Sequence, residues 1–154
     1  MPSLALKIPP PLVALLSALA MGALACWGLA PLGLPWSGRS VTAAALMAGA
    51  GAIFLSGGRQ LLKAGTTWHP GDPSRTTSLV MGGFYRFSRN PIYLAGVAAL
   101  GAWGLFLNDG LALSPLPGFV LYMTRFQIIP EEEALERLFG SQYLDYKRRV
   151  RRWL

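Results

Sequence analysis

The sequence contains very few of the side chains that hold metal ions or form disulfides. It has one cysteine, Cys26, and one histidine, His69. A lone cysteine cannot form an intrachain disulfide, and a structural zinc site needs about four ligands, mainly cysteine and histidine. We therefore expect no metal site. The sequence also lacks a Gly-x-Gly-x-x-Gly run after a strand, which excludes a soluble dinucleotide-binding fold as a cofactor site.

Charged residues are also scarce, and they leave long stretches of the chain almost without charge. They make up 14% of the chain, against 53% for hydrophobic residues, whereas about a quarter of the residues in soluble domains are charged. A helix that crosses ~30 Å of hydrocarbon takes about 20 residues. The sequence therefore predicts an all-α integral membrane protein with four transmembrane helices, near residues 11–30, 41–62, 91–108 and 111–129.

The basic residues predict how these helices are oriented. The chain has 14 basic and 7 acidic residues. If the amino terminus is cytoplasmic, then Lys7, the loop before the third helix and the carboxyl-terminal tail lie inside, and Arg39 alone lies outside. We therefore predict a multi-pass protein of a bacterial inner membrane with both termini in the cytoplasm. A cleaved signal peptide is the alternative for the first helix, although its apolar run is long for one.

The chain divides into two parts on this interpretation. Residues 1–62 form an N-terminal transmembrane hairpin. Residues 63–154 form a core of a polar cytoplasmic loop, a second hairpin and a helical tail. The tail ends in a basic cluster followed by Trp153, which we expect to bind anionic headgroups; this explains the net charge of +7, and no nucleic-acid partner is expected.

Small residues recur at four-residue spacing on the first two predicted helices. Such stripes let helix backbones approach closely in lipid. They would serve either a contact within the chain or a homodimer, and the sequence leaves both open. The two stripes are Ala14, Ala18 and Gly22, and Ala44, Ala48, Ala52 and Ser56.

Polar residues cluster where the third helix is predicted to begin. Asn90 and Pro91 suit the N-cap and the first position of a helix. Arginines and tyrosines surround this helix start, which favours an anion there. The acidic run 131–133 follows the fourth predicted helix, and a hairpin would bring it to the Asn90 end of the third.

These motifs together resemble the superfamily of isoprenylcysteine carboxyl methyltransferases and phospholipid methyltransferases, which are integral membrane enzymes. The resemblance covers about residues 60–154 and depends on two motifs in order, with a membrane hairpin between them. The first motif is Thr77-Ser78-Leu79-Val80, Gly83-x-Tyr85 and Arg89-Asn90-Pro91-x-Tyr93. The second is Glu131-Glu132-x-x-Leu135 followed by Phe139-Gly140-x-x-Tyr143-x-x-Tyr146.

The resemblance implies a membrane methyltransferase that uses S-adenosylmethionine and acts on a lipophilic or membrane-embedded acceptor. By carry-over, Glu131 and Arg89 would be catalytic, and Arg125, Gln127, Glu131 and Glu132 would contact the substrate. The cofactor would be bound by Thr77, Ser78, Leu79, Val80, Tyr85, Asn90, Pro91, Ile92 and Tyr93.

Two positions depart from the family pattern. Family members often have histidine where this chain has Asn90, and asparagine cannot shuttle a proton at neutral pH. The prenylcysteine enzymes carry a substrate-binding arginine where this chain has Gln127. Arg125 is two residues away, about 200° around a regular helix, so it would face elsewhere unless the helix is distorted. These departures argue against prenylcysteine specificity and leave the acceptor open: a carboxylate, an amine, a thiol or a phospholipid.

Two other classes of function remain open at this point. Sterol reductases, which use NADPH, resemble this superfamily in their carboxyl-terminal region. A non-catalytic membrane protein could also retain the same scaffold. The presence of both motifs favours the methyltransferase.

Overall fold

The computed structural model describes residues 6–66 and 76–154. The loop residues 67–75, among them His69, lie outside the described part. Six α-helices are described: α1 (Pro10–Ala25), α2 (Trp36–Lys63), α3 (Pro91–Leu107), α4 (Pro115–Tyr122), α5 (Ile129–Phe139) and α6 (Ser141–Arg149). Short 3-10 turns span Gly83–Arg86 and Leu111–Leu113, and a π-helical segment spans Met123–Ile128. The described residues form no β-strand, so the predicted all-helical fold is confirmed for them.

The described helices differ in their capacity to cross a membrane. By length and composition, α2 qualifies, with 28 residues and a mean hydropathy of 1.6. The helices α1 and α3 are apolar but shorter, with 16 and 17 residues. The fourth predicted span is not one α-helix, because a 3-10 turn, α4 and the π-helical segment share that stretch. One described helix is therefore long and apolar enough to cross a membrane, and the count of four spans stays a prediction.

The helices run alternately up and down, and one end of the bundle gathers the loops 26–35 and 108–110. The amide of Ala30 donates to the Asp109 carboxylate at 3.2 Å, and the amide of Leu34 donates to the Asn108 side chain at 3.1 Å. Both Asn108 and Gly28 have positive φ angles, which end α3 and the turn after α1. Because α1 ends at Ala25, the first helix ends earlier than the predicted 11–30. Cys26 follows it as an exposed residue.

The core of the bundle lies between α1, α3 and the helical run 115–128. Met21, Phe119 and Met123 are among its buried side chains. Trp103 of α3 donates its indole N–H to the Ala18 carbonyl at 3.1 Å. The small-residue stripe of α1 therefore makes a contact within the chain, because Ala14 and Ala18 both pack against the core.

The second helix uses a different stripe from the one that its sequence suggests. It contacts mainly α3 and buries Ala43, Ala50 and Gly57. A Cβ atom added at Gly57 would lie 3.3 Å from Cγ1 of Ile92, so glycine allows the close approach there. In the predicted stripe, Ala44, Ala48 and Ala52 are exposed and Ser56 is half-buried. The three alanines therefore take no part in the contact within the chain.

Candidate active site

The end of the bundle opposite Asp109 brings together the start of α3, the start of α5 and the final residues 150–154, here called the C-terminal segment. The amide of Arg89 donates to the Arg151 carbonyl at 3.0 Å, and Nδ2 of Asn90 donates to the Arg152 carbonyl at 3.0 Å. The predicted side-chain cap by Asn90 is therefore wrong, because the C-terminal segment engages its carboxamide. Pro91 is the first residue of α3, as predicted.

A buried ion cluster ties these three elements together. Glu132 is 5% exposed and is bound by Nη2 of Arg89 at 2.8 Å and by Nη2 of Arg152 at 2.7 Å. The hydrogen bond to Glu132 is the main cause of a raised Arg152 pKa. The predicted substrate contact Glu132 and the predicted catalytic Arg89 thus contact each other. Since a buried carboxylate is stable only when paired, the cluster fixes the C-terminal segment against α3.

Glu131, one residue earlier, has a different environment. Its Oε1 accepts a hydrogen bond from the hydroxyl group of Tyr93, which is buried near the start of α3. Burial raises the pKa of Glu131 to about 8; the Tyr93 hydrogen bond opposes this rise, and the charge of Glu132 adds to it. Burial therefore brings the pKa of this carboxyl group close to neutral pH, where its protonated and its ionised form are both present.

Three further tyrosines lie beside this pair. Tyr85 is buried in the turn Gly83–Arg86, and the Tyr146 hydroxyl donates to its carbonyl at 2.7 Å. Tyr143 is 1% exposed, with its ring centroid 6.2 Å from that of Tyr146. Burial raises the pKa of all three phenols, and the charge of Glu131 contributes at Tyr85. The site is thus lined by neutral aromatic rings next to one carboxyl group.

The predicted cofactor-binding run 77–80 follows the end of α2. Oγ1 of Thr77 donates to the Gly65 carbonyl at 3.1 Å, and Oγ of Ser78 donates to the Ala64 carbonyl at 2.8 Å. Both hydroxyls therefore bind the backbone that follows α2. Leu79 and Val80 are half-buried. A cofactor in contact with this run would meet backbone groups and apolar side chains more than hydroxyl groups.

The two predicted substrate residues on the fourth span point in different directions. Arg125 is exposed and Gln127 is 1% exposed. Nε2 of Gln127 donates to the Ile8 carbonyl at 2.7 Å, while its Oε1 is buried and has no partner in the described residues. Both residues lie in the π-helical segment, so the helix is distorted at this point, yet Arg125 still does not turn inward.

A cleft of about 310 Å³ opens on the outer side of the turn that carries Tyr85. It is lined by Ser56, Gly83, Phe84, Arg86 and Phe87. The Phe87 ring is 68% exposed, and Arg86 forms no ion pair with any described residue. The cleft therefore presents apolar surface and one basic group next to the buried tyrosines.

The fold and the site together place a polar cluster at one end of an apolar helical bundle. The chain belongs to the phospholipid methyltransferase family, whose sequence model matches residues 39–142. This family is part of the superfamily of integral membrane methyltransferases that the motifs resemble, so the resemblance is confirmed. The family supports a membrane methyltransferase and does not favour the reductase.

A second comparison found a relative that matches part of the chain. An uncharacterized protein of Haemophilus influenzae is 44% identical over 63 residues, which are 41% of this chain and 100% of that protein. No solved structure matches the chain.

The C-terminal segment has a role that its basic residues do not predict. Their pattern predicts that Arg152 and Trp153 lie on anionic headgroups. Instead, Arg152 binds Glu132, and the indole N–H of Trp153 donates to Oγ1 of Thr124 at 3.2 Å. Those two residues are thus engaged within the protein, whereas Arg148, Arg149 and Arg151 are exposed. The indole of Trp153 was the available signal, since a tryptophan N–H usually finds a hydrogen-bond partner when it is buried.

Proposed function

We propose that this protein transfers a methyl group from S-adenosylmethionine to an acceptor group of a membrane lipid or other lipophilic molecule. The observation that carries the proposal is the contact between Tyr93 and Glu131, which joins the two family motifs at one point. It lies between α3 and α5, beside the tyrosine rings. The family membership supports the same reaction class.

The residues present fit S-adenosylmethionine in charge. Nε of Arg89 is a buried donor without a partner among the described residues, and it could bind the carboxylate of the amino-acid part. The rings of Tyr85 and Tyr93 could contact the sulfonium, since aromatic faces attract cations. When bound, this group supplies an activated methyl carbon. We assign the half-buried Leu79 and Val80 to apolar contacts with it.

The chain's own residues would then orient the acceptor and move one proton. A carboxyl group with a pKa of about 8 is matched to accept a proton near neutral pH, where general bases are most effective. Tyr93 would hold Glu131 in place through its hydroxyl group. An amine acceptor must lose a proton to be methylated, so Glu131 favours an amine over a carboxylate. Alignment of the reacting atoms supplies most of the remaining rate gain.

The acceptor would enter from the bilayer and the cofactor from the cytoplasm. Lys7, residues 76–90 and the C-terminal segment lie at the site end of the bundle, and Arg39 lies at the other end. This distribution supports a multi-pass protein of the inner membrane, with both termini and the site facing the cytoplasm. The cleft beside Arg86 supports lateral entry of a lipid whose phosphate would bind that guanidinium.

The test of this proposal is cofactor binding to the detergent-solubilised protein. We expect labelled S-adenosylmethionine to bind, its demethylated product to compete, and NADPH not to compete. Tyr93→Ala and Glu131→Ala should insert normally and lose methyl transfer. Absence of binding at millimolar cofactor, or competition by NADPH, would contradict the proposal.

A further inference from the structure

Pro130 interrupts the helical hydrogen bonds immediately before Glu131. In an α-helix, the amide of residue 130 would donate to the carbonyl of Phe126, but proline has no N–H and its ring clashes with that carbonyl. The helix before it is in π register: the amide of Ile129 donates to the Thr124 carbonyl, five residues back. The distortion thus lies directly before the residue that contacts Tyr93.

The beginning of the described chain binds this distorted turn. Residues 6–9, here called the N-terminal strap, cross the end of the π-helical segment. The amide of Leu6 donates to the Phe126 carbonyl at 2.9 Å, which is the carbonyl that Pro130 leaves without its α-helical donor. One residue further on, Nε2 of Gln127 donates to the Ile8 carbonyl at 2.7 Å. The strap therefore replaces one missing helical bond and adds a second contact.

The register of this segment decides where Glu131 points. A π turn holds about one residue more than an α turn, and one residue corresponds to about 100° around a helix axis. If the segment reverted to α register, everything after it would rotate by that angle relative to α4. Glu131 would then turn away from Tyr93, whereas the fold of α1 to α3 would be unaffected.

We propose that Pro130 and the N-terminal strap are positioning elements of the active site. Pro130 opens the helix into π register, the Leu6 amide stabilises that register by binding the Phe126 carbonyl, and Glu131 is thereby held against Tyr93. The amino-terminal residues thus belong to the site although they lie far from it in sequence. The expected effect on kcat rests on the proposed methyl transfer, whereas the expected effect on the helix register rests on the hydrogen bonds alone.

Two pairs of variants test the proposal. Pro130→Ala restores an amide that can bind the Phe126 carbonyl, and Pro117→Ala is the matched control, since Pro117 is exposed in the first turn of α4. Leu6→Pro displaces the strap, because it removes the amide that binds Phe126 and because the φ of proline, fixed at about −65°, cannot match the positive φ at this position. Leu6→Gly keeps that amide and suits the positive φ of 58° at this position, so it controls for loss of the side chain.

The expected results separate positioning from a general loss of stability. In Pro130→Ala, hydrogen exchange at the Leu6 amide should become at least about tenfold faster, because a new donor competes for its acceptor. In Pro130→Ala and Leu6→Pro, kcat should fall by about tenfold or more while KM for the cofactor changes by less than about threefold, as misplacement of a reacting group predicts. The midpoint of the pH–rate profile should also move towards the ordinary glutamate range. Both control variants should behave as the native protein does.

Unchanged Leu6 exchange in Pro130→Ala, or native kcat in either Pro130→Ala or Leu6→Pro, would overturn the proposal. If the native protein transfers no methyl group, the proposed function fails. The exchange comparison between Pro130→Ala and Pro117→Ala then still decides whether the proline and the strap set the helix register.

Discussion

Glu131 and Glu132 are adjacent in sequence and have opposite surroundings. Glu132 lies between the guanidinium groups of Arg89 and Arg152. Glu131 faces Tyr93 and has no cationic partner among the described residues. Two carboxyl groups whose environments differ in this way commonly take different chemical roles. We propose that Glu132 holds the C-terminal segment and that Glu131 accepts a proton from the methyl acceptor.

Removal of the Tyr93 hydroxyl should shift the pH dependence of the reaction. Because the hydrogen bond from Tyr93 lowers the pKa of Glu131, Tyr93→Phe should raise that pKa above 8. A rise of one unit leaves about tenfold less carboxylate at neutral pH, so kcat at neutral pH should fall by about that factor and recover in alkaline buffer. The control is Tyr122→Phe, because the buried Tyr122 hydroxyl has no partner in the described residues. A Tyr93→Phe profile that coincides with the native one would contradict this role.

The raised pKa of Glu131 also predicts how stability depends on pH. Its ordinary value is 4.5 and its value in the folded protein is about 8, so the folded state binds more protons between these two values. The free energy of unfolding should therefore decrease as the pH rises from 4.5 to 8. In Glu131→Gln this decrease should be much smaller, and thermal unfolding in detergent measures it. Parallel Tm curves for both proteins across this range would argue that Glu131 titrates normally.

At the level of elements, the C-terminal segment and α5 are joined to α3 by the Glu132 cluster. Glu132→Ala would leave the nearly buried Arg89 side chain, which is 7% exposed, without its partner. Loss of one member of a buried ion pair costs about 3–5 kcal/mol, and the Tm should fall accordingly. Glu133→Ala is the matched control because Glu133 is exposed, and a change within about 0.5 kcal/mol is expected there. Equal losses in the two variants would mean that the cluster contributes little.

The elements differ in how well the sequence predicts them. The start of α3 follows from Asn90 and Pro91, because proline at the first position needs no hydrogen-bond partner. The position of the acidic run 131–133 beside the start of α3 follows from the predicted hairpin of the third and fourth helices. Asn90 is the N-cap residue of α3, as predicted, but its side chain makes no cap hydrogen bond. Its carboxamide instead donates to the Arg152 carbonyl, which is 62 residues away in sequence. Local patterns carry no information on such long-range pairings.

The π-helical segment shows the same limit for the fourth span. Hydropathy predicts one continuous helix over 111–129, and Pro130 marks only a helix start. The carbonyl of Phe126 in this segment accepts a hydrogen bond from the Leu6 amide, which belongs to the first described residues of the chain. The resemblance to a family predicts more site residues than periodicity does, but it gives no sign that the N-terminal strap contacts the π-helical segment.

At the level of the whole molecule, the distribution of charge predicts an orientation that the single cysteine can test. Cys26 is exposed at the end of the bundle opposite the site. In intact bacterial cells, a membrane-impermeant maleimide admitted to the periplasm should label Cys26. A cysteine placed at the exposed Ser141 in a Cys26→Ser background should be labelled only after lysis. The reverse pattern would place the site outside the cytoplasm and contradict the predicted topology.

The measurement that tests the central claim most directly is transfer of a labelled methyl group in proteoliposomes of the native protein. The liposomes contain a bacterial lipid extract, and S-adenosylmethionine with a labelled methyl carbon is the donor. We predict that label appears in the organic phase with the native protein and falls to background with Glu131→Ala, although both proteins insert equally. Background label with the native protein, or equal label with Glu131→Ala, would contradict the account of a membrane methyltransferase centred on Glu131.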